Sequence, residues 1–429
     1  MNLSDALAYV ESLDILGMRF GLARMQHILA ELGDPHRAQP AIHVVGTNGK
    51  SSTTRLLAAL LAGEGLRSAA YLSPHIVGWT ERLMIDGQTV ADDAFAEAIG
   101  RVRQMVTRLG YQDDDAVTQF EVLTAAAFVA VAAAGMDVFV VEAGLGGRYD
   151  ATNVLDGGVV TVLTNVSREH TDLLGDTVTQ IAGEKLAVAP DGSDRLVVGY
   201  LDPPAEDAVG AIMTERHLTG WRVGAEIDAD DGPGGYRVRV GGSEYPRLVV
   251  GAAGRFQREN LTVAIAAAQR YLGHGLSAQG VREVAATVRV PGRLEVFDGQ
   301  PRIVIDGAHN PAGMQALAAS LGDVFPGTRP VAVVSVLEDK DVAAMLAPLI
   351  PLCTAVVVTR SSHRRAADPE RVARLARDRG ADCTVVGNPR LALQEAVRQA
   401  GPRGGVVVCG SLYLLRDLRA GLLMERPAT

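Results

Sequence analysis

The segment Ile42-His43-Val44-Val45-Gly46-Thr47-Asn48-Gly49-Lys50-Ser51-Ser52-Thr53 constrains this chain more than any other. It reads as a buried strand, a tight glycine turn, and a lysine with hydroxyls that open a helix. Leu56, Leu57, Leu60 and Leu61 continue that helix on one repeating apolar face. Two glycines let backbone N–H groups turn inward on an anion, and a new helix adds its positive N-terminal end. Lys50 can then neutralise phosphate charge, and the Ser51 hydroxyl can meet a magnesium ion. Only Thr47 and Asn48 separate the first glycine from the Gly-Lys pair, whereas the usual phosphate loop has four residues there. The strand before and the helix after supply the context that the motif requires, so the segment is read as an ATP site.

The rest of the chain fits a folded enzyme of two domains. Its 429 residues exceed what one hydrophobic core usually serves. The net charge of −9 argues against a broad nucleic-acid or membrane surface, while leaving room for a local basic pocket. Cys353, Cys383 and Cys409 are few and widely spaced, which argues against a disulfide framework or a zinc site. Met1-Asn2-Leu3-Ser4-Asp5-Ala6 lacks the basic-then-apolar order of a signal peptide, and no apolar run is long enough to span a bilayer. The expected location is the cytoplasm.

A helical leader near residues 4–32 precedes alternating strands and helices, the pattern of a parallel sheet covered on both faces. Strands are expected at 42–45, 68–72, 137–142 and 159–164, with helices at 92–108 and 120–134 between them. Residues 190–250 are richer in Gly, Asp and Pro and are read as a β-rich excursion, followed by helices at 258–273 and 277–287. Pro291-Gly292-Arg293 marks a hinge. It divides an ATP-binding domain over 1–294 from a smaller Rossmann-like α/β domain over 295–429. That second domain is expected to have strands at 302–305, 331–336, 355–359, 383–386 and 405–409, and helices at 312–324 and 369–379.

In open α/β sheets ligands bind beyond the carboxyl ends of strands, and further clusters fall there. Ser73-Pro74-His75 offers a hydroxyl and an imidazole, for a metal, a substrate or a loop cap. Glu142 ends an apolar strand and runs into Gly144, Gly146 and Gly147; a buried carboxylate needs a partner, and magnesium held against phosphates would be one. The alternative is an acid capping a glycine-rich turn. His170 is either a second metal ligand or a hydrogen-bonded structural residue, and Lys185 at a helix end reads most simply as solvated. Later in the chain, Asp306 either accepts from ribose hydroxyls or caps the helix at 312–324; His309 can contact nucleotide and Arg293 can clamp phosphate.

Taken together, residues 46–53, 73–75, 142–153, His170, Glu184-Lys185, 291–293 and 306–311 resemble the folylpolyglutamate synthase/dihydrofolate synthase family of the Mur ligase superfamily. Gly21-Leu22-Ala23-Arg24-Met25, Phe120-Glu121-Val122-Leu123-Thr124, Asp339-Lys340-Asp341 and Gly410-Ser411-Leu412-Tyr413 extend the likeness over nearly the whole chain. The shortened phosphate loop is the superfamily's own variant. The resemblance implies a P-loop Mur-ligase-like central domain with a parallel sheet, and an acid–amino-acid ligase that uses ATP and two magnesium ions. It implies ATP binding by Gly46, Thr47, Asn48, Gly49, Lys50, Ser51 and Ser52, with Arg293, Asp306 and His309 serving ATP from the second domain. Magnesium falls to Ser51, Ser73, Glu142 and His170, and carbamylation to Lys185. Lys50, His170 and Lys185 are the implied catalytic set, and Phe120, Asp150 and Ala151 the implied wall for a pterin-bearing substrate.

The implied reaction activates a carboxylate of dihydropteroate or a folate as an acyl phosphate, which the amine of L-glutamate displaces. Closure of the two domains would exclude water, and a monomer is implied. The chain departs from the family pattern at Glu169, where aspartate is usual, at residues 186–192, and at Phe256 of Phe256-Gln257. These departures lie outside the phosphate loop and bear on substrate choice. Rivals are an amide ligase of the same architecture acting on another carboxylate, and a nucleotide-binding regulator without catalysis. The 45 residues before Gly46 are too few for the substrate domain of the muramyl ligases.

Overall fold

Strands buried on both faces need continuous apolar runs, and β1 (Ala41–Val45) and β5 (Val138–Glu142) are buried at every position. The computed structural model describes residues 1–13, 21–112, 115–156, 159–232 and 234–425. With β2 (Ser68–Tyr71), β3 (Leu83–Ile85), β4 (Gln88–Thr89), β6 (Val160–Leu163), β7 (Leu196–Val198) and β8 (Gly220–Arg222), β1 and β5 form one eight-stranded sheet. Its order is β4-β3-β2-β5-β1-β6-β7-β8. The run from β2 through β8 is parallel, and β3 and β4 extend the sheet antiparallel. Val44 lies opposite Glu142 and Val45 opposite Leu163, so the phosphate-loop strand is flanked by the strands that end at Glu142 and just before Thr164.

The helix Gln119–Ala134 is apolar all round and buried over most of its length. It starts at a reciprocal capping box between Thr118 and Glu121. The leader forms two helices, Leu3–Ser12 and Ala23–Glu31, and both pack into the same core as that helix. The expected leader over 4–32 includes residues 14–20, which lie outside the described residues.

Residues 190–250 do not form a purely β-rich excursion. They supply β7 and β8 to the main sheet and a helix, Pro203–Glu215, between them. The proline content hid that helix: Pro203 and Pro204 occupy its first turn, where no N–H is needed, after the Asp202 cap. Only β9 (Ile227–Gly232), β10 (Gly235–Val240) and β11 (Ser243–Leu248) make a separate antiparallel sheet.

Packing divides the chain into one unit up to Val249 that resumes over Glu259–Val288, and a second made of Val250–Arg258 and residues from Arg289 onward. Pro291-Gly292-Arg293 therefore belongs to the second unit; Gly292 O accepts from Gly307 N at 2.8 Å. This unit has a sheet of β12 (Glu295–Phe297), β13 (Arg302–Ile305), β14 (Val331–Val334), β15 (Ala355–Val358), β16 (Cys383–Val385) and β17 (Gly405–Cys409), in the order β12-β13-β17-β14-β15-β16. All but β12 are parallel. Both units are thus α/β with parallel sheets. Among the described residues no helix is long and apolar enough to cross a membrane.

Candidate active site

The phosphate loop joins β1 to the helix Lys50–Gly63. Gly46 and Gly49 have φ of 146° and 84°. A side chain on Gly46 would collide with Thr164 Oγ1 and one on Gly49 with Asn260 Oδ1, so glycine is required at both by backbone angle and by space. The residues after β6 brace the loop: Thr47 N donates to Asn165 O at 3.0 Å and Asn48 N to Asn165 Oδ1 at 2.9 Å. The N–H groups of Thr47 and Asn48 are therefore committed to Asn165. Gly49 supplies no capping side chain, so the helix start of Lys50, Ser51 and Ser52 presents the anion-binding end. Lys50 Nζ donates to Gly46 O at 2.8 Å and Thr47 O at 3.0 Å.

Three expected magnesium residues come together beside the loop. Ser51 Oγ donates to Glu142 Oε1 at 2.8 Å, and Ser73 N donates to Glu142 Oε2 at 3.0 Å. Ser51 Oγ also lies 3.4 Å from Ser73 O. A lone buried carboxylate would cost several kcal/mol; these two donors satisfy Glu142. The oxygens suit magnesium, which takes one or two carboxylates and completes its shell with water and phosphate oxygens. Among the described residues no three His, Cys, Asp or Glu side chains converge as a metal cage, so phosphate would have to complete the set. His75 is otherwise engaged: its Nδ1 accepts from Arg82 Nε at 3.1 Å and its ring packs on Trp79.

Lys185 is not solvated. Its side chain is 1% exposed, and Nζ donates to Glu169 Oε1 at 2.8 Å and to Gly46 O at 3.0 Å. Burial draws the Lys185 ammonium below the ordinary lysine range, against the pull of Glu169. Burial pushes the Glu169 carboxyl up, but the Lys185 and Lys50 charges outweigh it and hold it at about 2. His170, next in the chain, precedes the short helix Thr171–Leu174 with a left-handed φ of 45° and no capping bond from its side chain, and its charge also lowers Glu169. Sequence reasoning noted Glu169 only as a departure; the partners of Lys185, Glu169 and Gly46, lie 16 and 139 residues away, which no local pattern reveals.

A cavity of about 280 Å³ shares Ser73 with the Ser51–Glu142 cluster and is lined by Arg82, Phe120, Gly144, Tyr149, Asp150 and Ala151 among others. Phe120 packs on Tyr71, and a Cβ on Gly144 would lie 2.5 Å from the Phe120 ring. Asp150 is buried; Oδ2 accepts from Leu145 N at 2.8 Å and Oδ1 from Thr152 N at 3.0 Å. Burial pushes its pKa up, and these donors oppose the shift. Arg24 from the leader pairs with Glu121 behind Phe120, Nη2 to Oε1 at 2.9 Å. Arg24 was legible only as part of the matching segment Gly21–Met25, with no role attached.

In the second unit Arg293, Asp306 and His309 gather at the end of β13. Asp306 accepts from Leu294 N and Ala308 N, each at 2.8 Å. Burial raises its pKa, with the Arg293 charge opposing. His309 Nδ1 lies 2.8 Å from Gly307 O. The helix Pro311–Val324 is capped by Asn310, whose Oδ1 accepts from Gly313 N, so Asp306 is not its cap.

A phosphate loop between parallel strands, a carboxylate on the neighbouring strand, and a second α/β unit define an ATP-handling enzyme of the Mur ligase type. Residues 44–268 match the Mur ligase middle domain and residues 292–412 the Mur ligase glutamate ligase domain. A dihydrofolate synthase/folylpolyglutamate synthase of Mycobacterium tuberculosis is 36% identical over 83% of this chain and 78% of that protein. Folylpolyglutamate synthase of the same organism, solved with ADP, superposes with a TM-score of 0.90 at 32% identity, covering 98% of each chain. The bifunctional Yersinia pestis enzyme, solved with AMPPNP and a manganese ion, superposes with a TM-score of 0.86 at 28% identity over 99% of this chain and 98% of that one. This chain belongs to the folylpolyglutamate synthase/dihydrofolate synthase family.

Proposed function

We propose that this chain is an ATP-dependent ligase that joins L-glutamate to a folate-type carboxylate, and that it serves both dihydropteroate and folates. The observation that carries the reading is the double membership of Ser73: it lines the aromatic cavity and also contacts Ser51 and Glu142 beside the phosphate loop. A carboxylate presented from the cavity would meet the γ-phosphate held by the loop. The names of the Mycobacterium and Yersinia relatives, each carrying both activities, support a bifunctional enzyme.

The carboxylate oxygen attacks the γ-phosphorus, a C–O–P bond forms, and the bond to ADP breaks. The glutamate amine then attacks the acyl carbon; the amide bond forms, inorganic phosphate departs with the electron pair, and the amine sheds a proton. Catalysis rests on positioning and on charge neutralisation. Gly46, Thr47, Asn48, Gly49 and Ser52 shape the loop, and Lys50 balances phosphate charge. Ser51, Ser73, Glu142 and His170 are assigned to magnesium, which when bound neutralises the phosphates. Phe120, Asp150 and Ala151 form the substrate wall. In the second unit Arg293, Asp306 and His309 are assigned to nucleotide.

Lys185 is assigned carbamylation. Addition of CO₂ to its neutral amine, with loss of a proton, would open the Glu169 pair and create an anion able to help hold a second magnesium. Intact-protein labelling with ¹³CO₂ tests it; absence of a carbamate signal removes the assignment. The reading as a whole is tested by an ATP- and magnesium-dependent assay with L-glutamate, followed by mass spectrometry. Dihydropteroate and tetrahydrofolate should each gain a glutamyl unit; failure of both overturns the folate assignment.

A further inference from the structure

His43 occupies the middle of β1, the strand that ends at the phosphate loop, and is 1% exposed. An imidazole buried there needs a polar partner, and Nε2 lies 2.8 Å from Thr152 Oγ1. Thr152 is also buried, and its hydroxyl bonds to Asp150 Oδ1. Chemistry fixes the direction. Both Asp150 oxygens already receive backbone N–H groups, so the carboxylate acts as acceptor and takes the single hydroxyl hydrogen of Thr152. The lone pair of Thr152 Oγ1 is then left to accept, and His43 must be the Nε2–H tautomer. The chain of donors runs His43 to Thr152 to Asp150.

We propose that His43 and Thr152 are positioning residues that hold the Asp150–Ala151 wall of the substrate cavity against β1, and so set the affinity for the carboxylate substrate. The inference rests on the function proposed above. It concerns residues that act on the cavity from behind: neither His43 nor Thr152 lines it, and Thr152 reaches it through its bond to the lining residue Asp150. Loss of the chain would remove the hydrogen-bonded tie from the Asp150 loop to β1 and leave the loop its internal bonds and the bonds of Arg148 to Glu184, while β1 stays paired on both sides by β5 and β6. The pterin pocket should therefore loosen without the ATP cradle following.

The test compares Thr152→Val, which removes the hydroxyl at equal volume, with Thr152→Ser, which keeps it, and His43→Leu with His43→Gln. Steady-state KM for dihydropteroate and for ATP, and the Kd for ADP by calorimetry, are measured on each. Loss of one buried hydrogen bond predicts that T152V and H43L raise KM for dihydropteroate roughly five- to thirty-fold. KM for ATP and Kd for ADP should stay near the parent's, with S and Q variants close to wild type. The double variant should be no worse than T152V alone, since both act through one chain. A parallel rise in both KM values, additive effects, or an unchanged dihydropteroate KM in folded T152V overturns the proposal. Should H43L fail to fold, the T152V/T152S pair decides. If the wild-type protein itself does not extend dihydropteroate, the proposed function fails and this inference with it; a wild type that works beside unaffected variants sinks the inference alone.

Discussion

Lys185 and Glu169 form a buried ion pair whose two halves cannot be judged singly. Removing one partner of such a pair leaves an uncompensated charge and costs about 3–5 kcal/mol. Lys185→Ala should therefore lose ligation by at least about a hundredfold and also melt lower. Lys185→Ala combined with Glu169→Gln should recover much of the stability and none of the activity, as read by denaturant unfolding beside turnover. Equal activity in the double variant would refute a chemical role for Lys185. His43 gives a second residue-scale expectation. Burial pushes its pKa down from 6.5 to about 3, so between those values the unfolded chain binds a proton that the folded protein refuses. Stability contributed by the neutral imidazole is complete above pH 6.5 and is lost on acidification, by up to about 1.4 kcal/mol per pH unit. Urea unfolding of His43→Gln between pH 4.5 and 7 should show a shallower slope than the parent; an identical slope would contradict the neutral, buried imidazole.

At the scale of elements, the strand, loop and helix around Lys50 were legible because every determinant is local: an apolar run, two glycines at fixed places and a leucine-faced helix. The helix Pro203–Glu215 was not, because Pro203 and Pro204 carry opposite meanings inside a helix and at its first turn. Asp306 and Asn310 are both plausible caps by residue type, and only the backbone at Gly313 decides for Asn310. The burial of Lys185 depends on Gly46, 139 residues away, and sequence periodicity carries no such information. The glycine run after β5 makes its own prediction. Gly144→Ala would press on the Phe120 ring, so it should raise KM for the pterin substrate more than KM for ATP. Gly144→Ala/Phe120→Leu should restore part of the loss, and an additive double variant would exclude ring crowding as the cause.

Across the whole molecule, chain length and the alternation of strands and helices announced two α/β units, and the ends of adjacent parallel strands bring the loop together with Ser73 and Glu142. β2 leads to Ser73, β5 ends in Glu142, β1 feeds Gly46, and β6 feeds Asn165, in an unbroken row of neighbours. One detail of that row has a thermodynamic echo. Gly46 O accepts from both Lys50 Nζ and Lys185 Nζ, and the Lys50 charge works against the Lys185 ammonium. Glu169 balances the Lys185 ammonium, so Lys50 is the charge of this pair left to meet a polyanion. The apo protein should accordingly behave as a sensor of inorganic pyrophosphate. Its melting temperature should climb as pyrophosphate is added, with a stabilisation of about 2.7 kcal/mol at a hundred times the Kd. Lys50→Ala should blunt that response, and a melting curve indifferent to pyrophosphate in the parent would mean that the Lys50 ammonium is not held in readiness for phosphate at all.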